Sequence, residues 1–173
     1  MTILNNKALL IAIIVIAIVG VVLIVCMSKK QSAENEANLE AYEEYLLSLS
    51  PEDVIIEHFK NKNEKEILKI KATVVDRYKE IDWTQRYLKQ IEVLGIIYNS
   101  AETENYIKIV NDDKTGRFFT QDNNSFPERK VYDVTYKVEY KRSAPKDDGV
   151  YTWRYYMLKK SNEDPWLIEE FGF

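Results

Sequence analysis

Twenty consecutive residues, Ala8 to Met27, are Ala, Leu, Ile, Val and Met broken only by Gly20 and Cys26, and none is charged. At about 1.5 Å of rise per residue, a helix of that length crosses the roughly 30 Å hydrocarbon core of a bilayer. Everything after it is polar and aromatic. The chain therefore reads as a membrane anchor over residues 1–30, a helical stalk over 31–49 and one water-soluble domain over 50–173. A cleaved signal peptide fits less well, because its apolar core is only about 7 to 15 residues long and small residues precede the cut. Leu23-Ile24-Val25-Cys26 offers an alternative, a lipoprotein signal with Cys26 as the lipidated residue, although such signals carry Gly, Ala or Ser where Val25 stands. In the anchor reading Cys26 is a small apolar residue of the span. Lys7 and the α-amino group lie on one side of the run and Lys29 and Lys30 on the other, so charge alone does not orient it.

Charge also narrows the function. Of the 24 Lys and Arg residues, three (Lys7, Lys29 and Lys30) flank the apolar run, so residues 31–173 carry 21 basic against 28 acidic side chains. That balance argues against nucleic acid, whose phosphates are bound through Lys and Arg. With Cys26 as the single cysteine, the domain has neither a disulfide nor a thiolate metal site. Around 120 to 140 residues suffice for one domain with one core.

Leu39, Tyr42, Leu46 and Leu49 recur at spacings of three and four, which makes residues 31–48 a helix with one apolar stripe. The stripe suits a spacer, a helix lying on its own domain, or a short coiled coil. Ser50-Pro51-Glu52-Asp53 starts a new helix: Ser50 caps it, Pro51 has its φ preset for the first turn, and the two acids face the positive end. Val54, Ile55, His58 and Phe59 form its buried side. Asn61-Lys62-Asn63 reads as a break before a second helical segment, Glu64 to Thr73. His58, the only histidine, is either a general acid or base or a packed core side chain; no carboxylate or nucleophile is tied to it by local spacing.

Beyond Trp83 the period shortens towards two. Gln90 to Tyr98 reads as a strand with Gly95 at a bulge or bend, while Tyr106 to Val110 fits a helix end or a strand. Asn111, Asp113, Thr115, Gly116 and Asp122 occupy the offsets of a calcium loop, but Asn replaces the usual first Asp and Asp the usual final Glu. The segment reads as a hydrophilic turn, and no metal or other cofactor is expected.

Val131 to Lys141 alternates most regularly, with Tyr132, Val134, Tyr136, Val138 and Tyr140 on one face. Val150 to Lys160 returns as a second strand, and Trp166 to Phe171 closes the sheet. Six of the twelve tyrosines, together with Trp153, fall on the two long strands. The return strand is apolar on both sides, since Tyr151, Trp153, Tyr155 and Met157 oppose Tyr156 and Leu158. One side meets the helices. The other is covered by the stalk or another chain, or else the sheet leaves Tyr132, Tyr136, Tyr140 and Trp153 lining a cleft for a mostly apolar ligand.

Helices followed by an antiparallel meander define an α+β layer fold. Ser50-Pro51-Glu52 with Phe59 and Asn61-Lys62-Asn63, the strand Val131 to Tyr140, Tyr156-Met157-Leu158-Lys159-Lys160 and the closing Trp166-Leu167-Ile168-Glu169-Glu170-Phe171-Gly172 resemble a bacterial membrane-anchored family of unknown function. That family is similar to the nuclear transport factor 2-like, or cystatin-like, superfamily. The resemblance implies a cone-shaped domain in which helices wrap a curved antiparallel sheet, displayed outside the cell membrane. Isomerases and dehydratases of the superfamily use Asp and His residues that have no match here, so no catalytic role carries over. The expected function is a noncatalytic domain at the cell envelope that binds a small apolar ligand or a protein partner; an enzyme built on His58 and a structural assembly role are the alternatives.

Overall fold

The computed structural model describes residues 2–81, 85–112, 128–141 and 147–172, with side chains from residue 21 onward. The described residues form five helices and four strands in the order α1 (Thr2–Leu47), α2 (Pro51–Glu64), α3 (Ile67–Ala72), α4 (Asp76–Lys79), β1 (Leu88–Tyr98), α5 (Ser100–Asp112), β2 (Glu128–Tyr140), β3 (Gly149–Lys159) and β4 (Leu167–Gly172). The chain divides into two units, Met1–Ala41 and Tyr42–Phe173. Within the first, α1 is one uninterrupted helix through the apolar run, and Val21 to Val25 are exposed. Among the described residues no helix is long and apolar enough to cross a membrane. Most of the run, residues 8–20, lies outside those with described side chains.

The second unit starts inside the stripe read from the sequence. Tyr42 and Leu46, on the last turns of α1, are buried in its core, so this part of the helix belongs to the domain rather than to a separate spacer. Ser50 caps α2 as its sequence dictates: its backbone is extended, its Oγ accepts from the Asp53 amide at 3.1 Å, and Pro51 follows in the first turn.

The expected break at Asn61-Lys62-Asn63 is absent; α2 continues to Glu64 and stops at Lys65, which takes the left-handed conformation at φ 62°. Asn is a weak helix former because its amide competes for local backbone groups. Here both amides find distant partners instead. Asn61 Nδ2 donates to the Tyr42 hydroxyl at 2.6 Å, tying α2 to the end of α1. Asn63 Nδ2 donates to the Ile91 carbonyl at 2.7 Å, and Asn63 Oδ1 accepts from the Ile91 amide at 2.8 Å, tying α2 to β1.

The strands form one antiparallel sheet in the order β1-β2-β3-β4. In β1 the register shifts between Val93 and Gly95, the irregularity expected at that glycine. Tyr132, Val134 and Tyr136 of β2 stand opposite Tyr155, Trp153 and Tyr151 of β3. On that face the main core gathers Val54, Ile55 and Phe59 of α2, Ile70 of α3, and Met157 and Ile168 of the sheet. β4 does not end in an open edge throughout, because Val74 bridges to Ile168: the Val75 amide donates to the Ile168 carbonyl, and the Ile168 amide to the Thr73 carbonyl.

At its Val131 end the opposite face is covered by α5. Tyr106 and Val110 of α5 close over Val131, with Tyr156 packed beside them. Asn99 caps this helix, its Oδ1 accepting from the Glu102 amide at 2.9 Å. Thr103 Oγ1 accepts from the Val131 amide at 2.9 Å, which docks the first turn of α5 on β2. Tyr106 to Val110, which the sequence left between helix and strand, are thus helical. Of the calcium-loop offsets, Asn111 lies in the last turn of α5, and Asp113, Thr115, Gly116 and Asp122 lie outside the described residues.

Beneath α5 lies a buried ionic cluster. The β3–β4 register shifts between Tyr156 and Met157, inserting an extra β4 residue, Glu169, which is fully buried. Its Oε2 accepts from the Tyr106 hydroxyl and lies 3.5 Å from Arg129 Nε, whose side chain is itself buried. The Arg129 guanidinium also sits 5.8 Å from the centre of the Tyr106 ring.

Candidate functional site

The tyrosines of β2 alternate inward because a strand directs every second side chain to one face. At its Tyr140 end, where the helices give less cover, this face opens into a cleft of about 220 Å³ lined by Tyr136, Val138, Tyr140, Asp147, Tyr151 and Trp153. Three of the four residues expected to line such a site are therefore together: Tyr136, Tyr140 and Trp153. Tyr132 is not among them. It lies deeper along the same face, 2% exposed, with its ring 5.6 Å from that of Tyr98.

The walls of the cleft are fixed from behind. The Tyr136 ring lies 5.1 Å from Phe59 of α2, and Trp153 stacks on Phe171 at 6.2 Å and 14°. Tyr136 and Trp153 meet nearly at right angles, at 82° with centroids 6.2 Å apart, while Tyr151 leans over Tyr136 at 6.0 Å and 32°. The mouth is held by two side chain–backbone bonds: the Tyr151 hydroxyl donates to the Asp147 carbonyl at 3.1 Å, and the Tyr140 amide donates to Asp148 Oδ1 at 2.6 Å. Gly149 permits this packing, since a Cβ there would stand 3.3 Å from the Tyr151 ring.

Burial, reinforced by their mutual proximity, pushes the Tyr136 phenol up, Tyr140 and Tyr151 being its charged neighbours when ionised. Tyr140 is raised by burial, by Tyr151 and by Asp148. The two phenols are therefore neutral donors and acceptors at physiological pH, set in an apolar frame. Such a surface binds and orients. The sequence missed Tyr151, Val138 and Asp147 as lining residues; it is the register of β2 and β3 that pairs Tyr136 with Tyr151.

His58 stands elsewhere. It is fully buried on α2, its ring edge-on to Phe59 at 6.1 Å, and its Nδ1 is 2.7 Å from Thr73 Oγ1. The Thr73 hydroxyl donates its only proton to the Ile70 carbonyl, so the imidazole carries its proton on Nδ1 and donates to Thr73. Burial, and secondarily the Lys62 charge, hold its pKa well below the ordinary histidine value. Among the described residues no cluster of His, Cys, Asp or Glu is arranged to hold a metal ion. Cys26 is exposed on α1.

A family model for a domain of unknown function, DUF4829, matches residues 52–172. The chain belongs to this family. The DUF4829 segment takes in the run from α2 to β4, including the cleft and the ionic cluster, and leaves out the whole of α1. No curated protein and no solved structure matches the chain.

Proposed function

We propose that this DUF4829 protein is a noncatalytic binding domain, nuclear transport factor 2-like in fold, tethered by the apolar run of α1 to the cell membrane and displayed on its outer side. The observation that carries the binding role is the aromatic cleft, whose lining combines four rings with a few phenol hydroxyls, the balance typical of a site that orients a mostly apolar ligand. Its volume is below the roughly 300 Å³ at which drug-sized sites begin, so the ligand is a small molecule or a single protruding group of a larger one. The burial of His58 in the core, bonded to Thr73, supports a structural histidine.

Tyr136→Phe tests the cleft because it removes one hydroxyl and little volume. Titrating a panel of small phenols and alkyl alcohols, followed by NMR of the full chain, is expected to perturb Tyr136, Tyr140 and Trp153 together. The variant should weaken that binding by about 1 kcal/mol while its melting midpoint stays in place. A lowered midpoint with unchanged binding would put the hydroxyl in the core and count against the site.

The tether is supported by the length and apolarity of residues 8–27, and the outer location by the family resemblance. In intact cells the full chain should sediment with membranes, and protease added outside should remove the domain and leave a membrane-bound stub. Complete protection until lysis would reverse the orientation; recovery in the soluble fraction would remove the anchor.

A further inference from the structure

We infer that the last turns of α1, residues 42–49, are a detachable latch: a helical segment that opens as a unit while α2 and the sheet stay folded, uncovering an apolar surface that receives an amphipathic helix. The segment is seated in the core of its unit, with Leu46 1% exposed, Tyr42 9% exposed and Leu49 packed beside them. Little else holds it. Among the described residues, one hydrogen bond joins it to the elements that follow, from Asn61 Nδ2 of α2 to the Tyr42 hydroxyl at 2.6 Å, and Lys69 Nζ of α3 lies 5.6 Å from the centre of the Tyr42 ring. Its remaining bonds are internal: the Ser48 amide and hydroxyl both donate to the Tyr45 carbonyl, and the Leu49 amide donates to that of Leu46. By contrast α5 is bonded to the sheet at successive turns, through Thr103 to Val131, Tyr156 to Glu102 and Tyr106 to Glu169.

The boundary behind the latch survives its opening. Ser50 alone caps α2, its Oγ accepting from the Asp53 amide at 3.1 Å and its carbonyl from the Val54 amide at 3.0 Å. Pro51 has no amide hydrogen and disfavours a helical Ser50, so α1 does not run on into α2, and each helix keeps its own bonds when the two separate. The DUF4829 match begins at residue 52, beyond this hinge. An element attached by a few buried side chains, with its backbone bonds internal, belongs to the low-stability end of a structure, where sub-global opening occurs. Residues 42–49 also link residues 1–41 to everything from Ser50 on, so a pull from the N-terminal side loads the latch before it loads α2. What the latch leaves behind, beside Asn61 and Lys69, fits a helix with apolar side chains at i, i+4 and i+7, the spacing of Tyr42, Leu46 and Leu49.

The test is hydrogen exchange of the full chain in detergent, read by mass spectrometry. Amides of residues 43–49 should exchange together, about a hundredfold faster than those of α2 and β2. Tyr42→Phe, which removes the bond to Asn61, should speed them by a further factor of about five and leave α2 and β2 unchanged. Leu46→Ala should speed them by at least about tenfold, again without effect on α2 and β2. A fluorescent peptide of residues 38–50 should then bind the Leu46→Ala chain about tenfold more tightly than the parent, because the weakened latch leaves its seat open for a larger share of the time. Exchange of residues 43–49 no faster than that of α2, or variants that speed α2 and β2 as much as the segment, would overturn the latch and make these turns an integral part of the core. Peptide binding by neither chain, or equally by both, would overturn the receiving surface.

Discussion

Glu169→Ala is expected to lower the stability of the domain by about 3 to 5 kcal/mol, a large share of what a domain of this size possesses. The substitution removes the carboxylate that Tyr106 and Arg129 share beneath α5, taking one negative charge from beside a buried guanidinium. Glu169→Gln should cost less, because the amide oxygen still accepts from Tyr106 while only the charge is lost. Replacing Glu169 and Arg129 together with apolar residues should cost less than Glu169→Ala alone, since neither charge is then stranded. Urea midpoints for the variants check the order. A loss below about 1 kcal/mol for Glu169→Ala would show that the pair is solvated in solution.

The second large effect is a narrow pH range. Tyr42, Tyr106, Tyr132, Tyr136 and Tyr155 are all buried, and burial is in each case the leading cause of a raised phenol pKa, up to about 12 for Tyr42. An unfolded tyrosine ionises near 10, so above that pH the unfolded chain sheds protons that the folded chain keeps. Stability from these groups is complete below about pH 10 and falls beyond it by up to about 1.4 kcal/mol per pH unit for each phenol. Five acting together should unfold the domain near pH 11. On the acid side His58 works in the opposite sense: its folded pKa is depressed, the unfolded histidine takes up a proton below about 6.5, and stability declines as the pH falls from there. Since His58 is the only histidine, His58→Leu should flatten the profile between about pH 7 and 5. Urea midpoints and tyrosinate absorbance across the range measure both limbs. Tyrosinate forming near pH 10 without loss of structure would contradict the burial argument.

Much of the architecture was legible because its signals are local. Ser50-Pro51 marks the start of a helix by capping chemistry, and the alternation of Tyr132, Val134, Tyr136 and Val138 marks a strand by pleat geometry. The helix α5 had an equally local mark, Asn99 followed by Glu102 three positions on, the pattern of a capping box; it went unread because Tyr106 to Val110 also fits a strand. Asn61-Lys62-Asn63 misled for a different reason. Poor helix propensity is a statement about an isolated segment, and here the amides are engaged by Tyr42 and Ile91, which no local pattern reveals. The inward turn of Glu169 depends on a bulge against β3, again a tertiary event. The cleft was half legible: alternation placed Tyr136, Tyr140 and Trp153 on one face, but that Tyr132 is deeper, and Tyr151 at the rim, follows from where the helices stop covering the sheet.

The contact between Asn63 and β1 bears on the colloidal behaviour of the protein. β1 is an outer strand of the sheet, and its Leu94, Ile97 and Tyr98 side chains are exposed. A strand of this kind is a template on which a second molecule can add by backbone pairing. By donating to and accepting from Ile91 with one side-chain amide, Asn63 occupies the pair of groups that an incoming strand would use first. The bulge at Gly95 then throws the remainder of the edge out of register. One asparagine in a helix thus acts as a stopper against self-assembly, guarding solubility more than fold, and its removal would show in concentration-dependent turbidity before it showed in a melting curve.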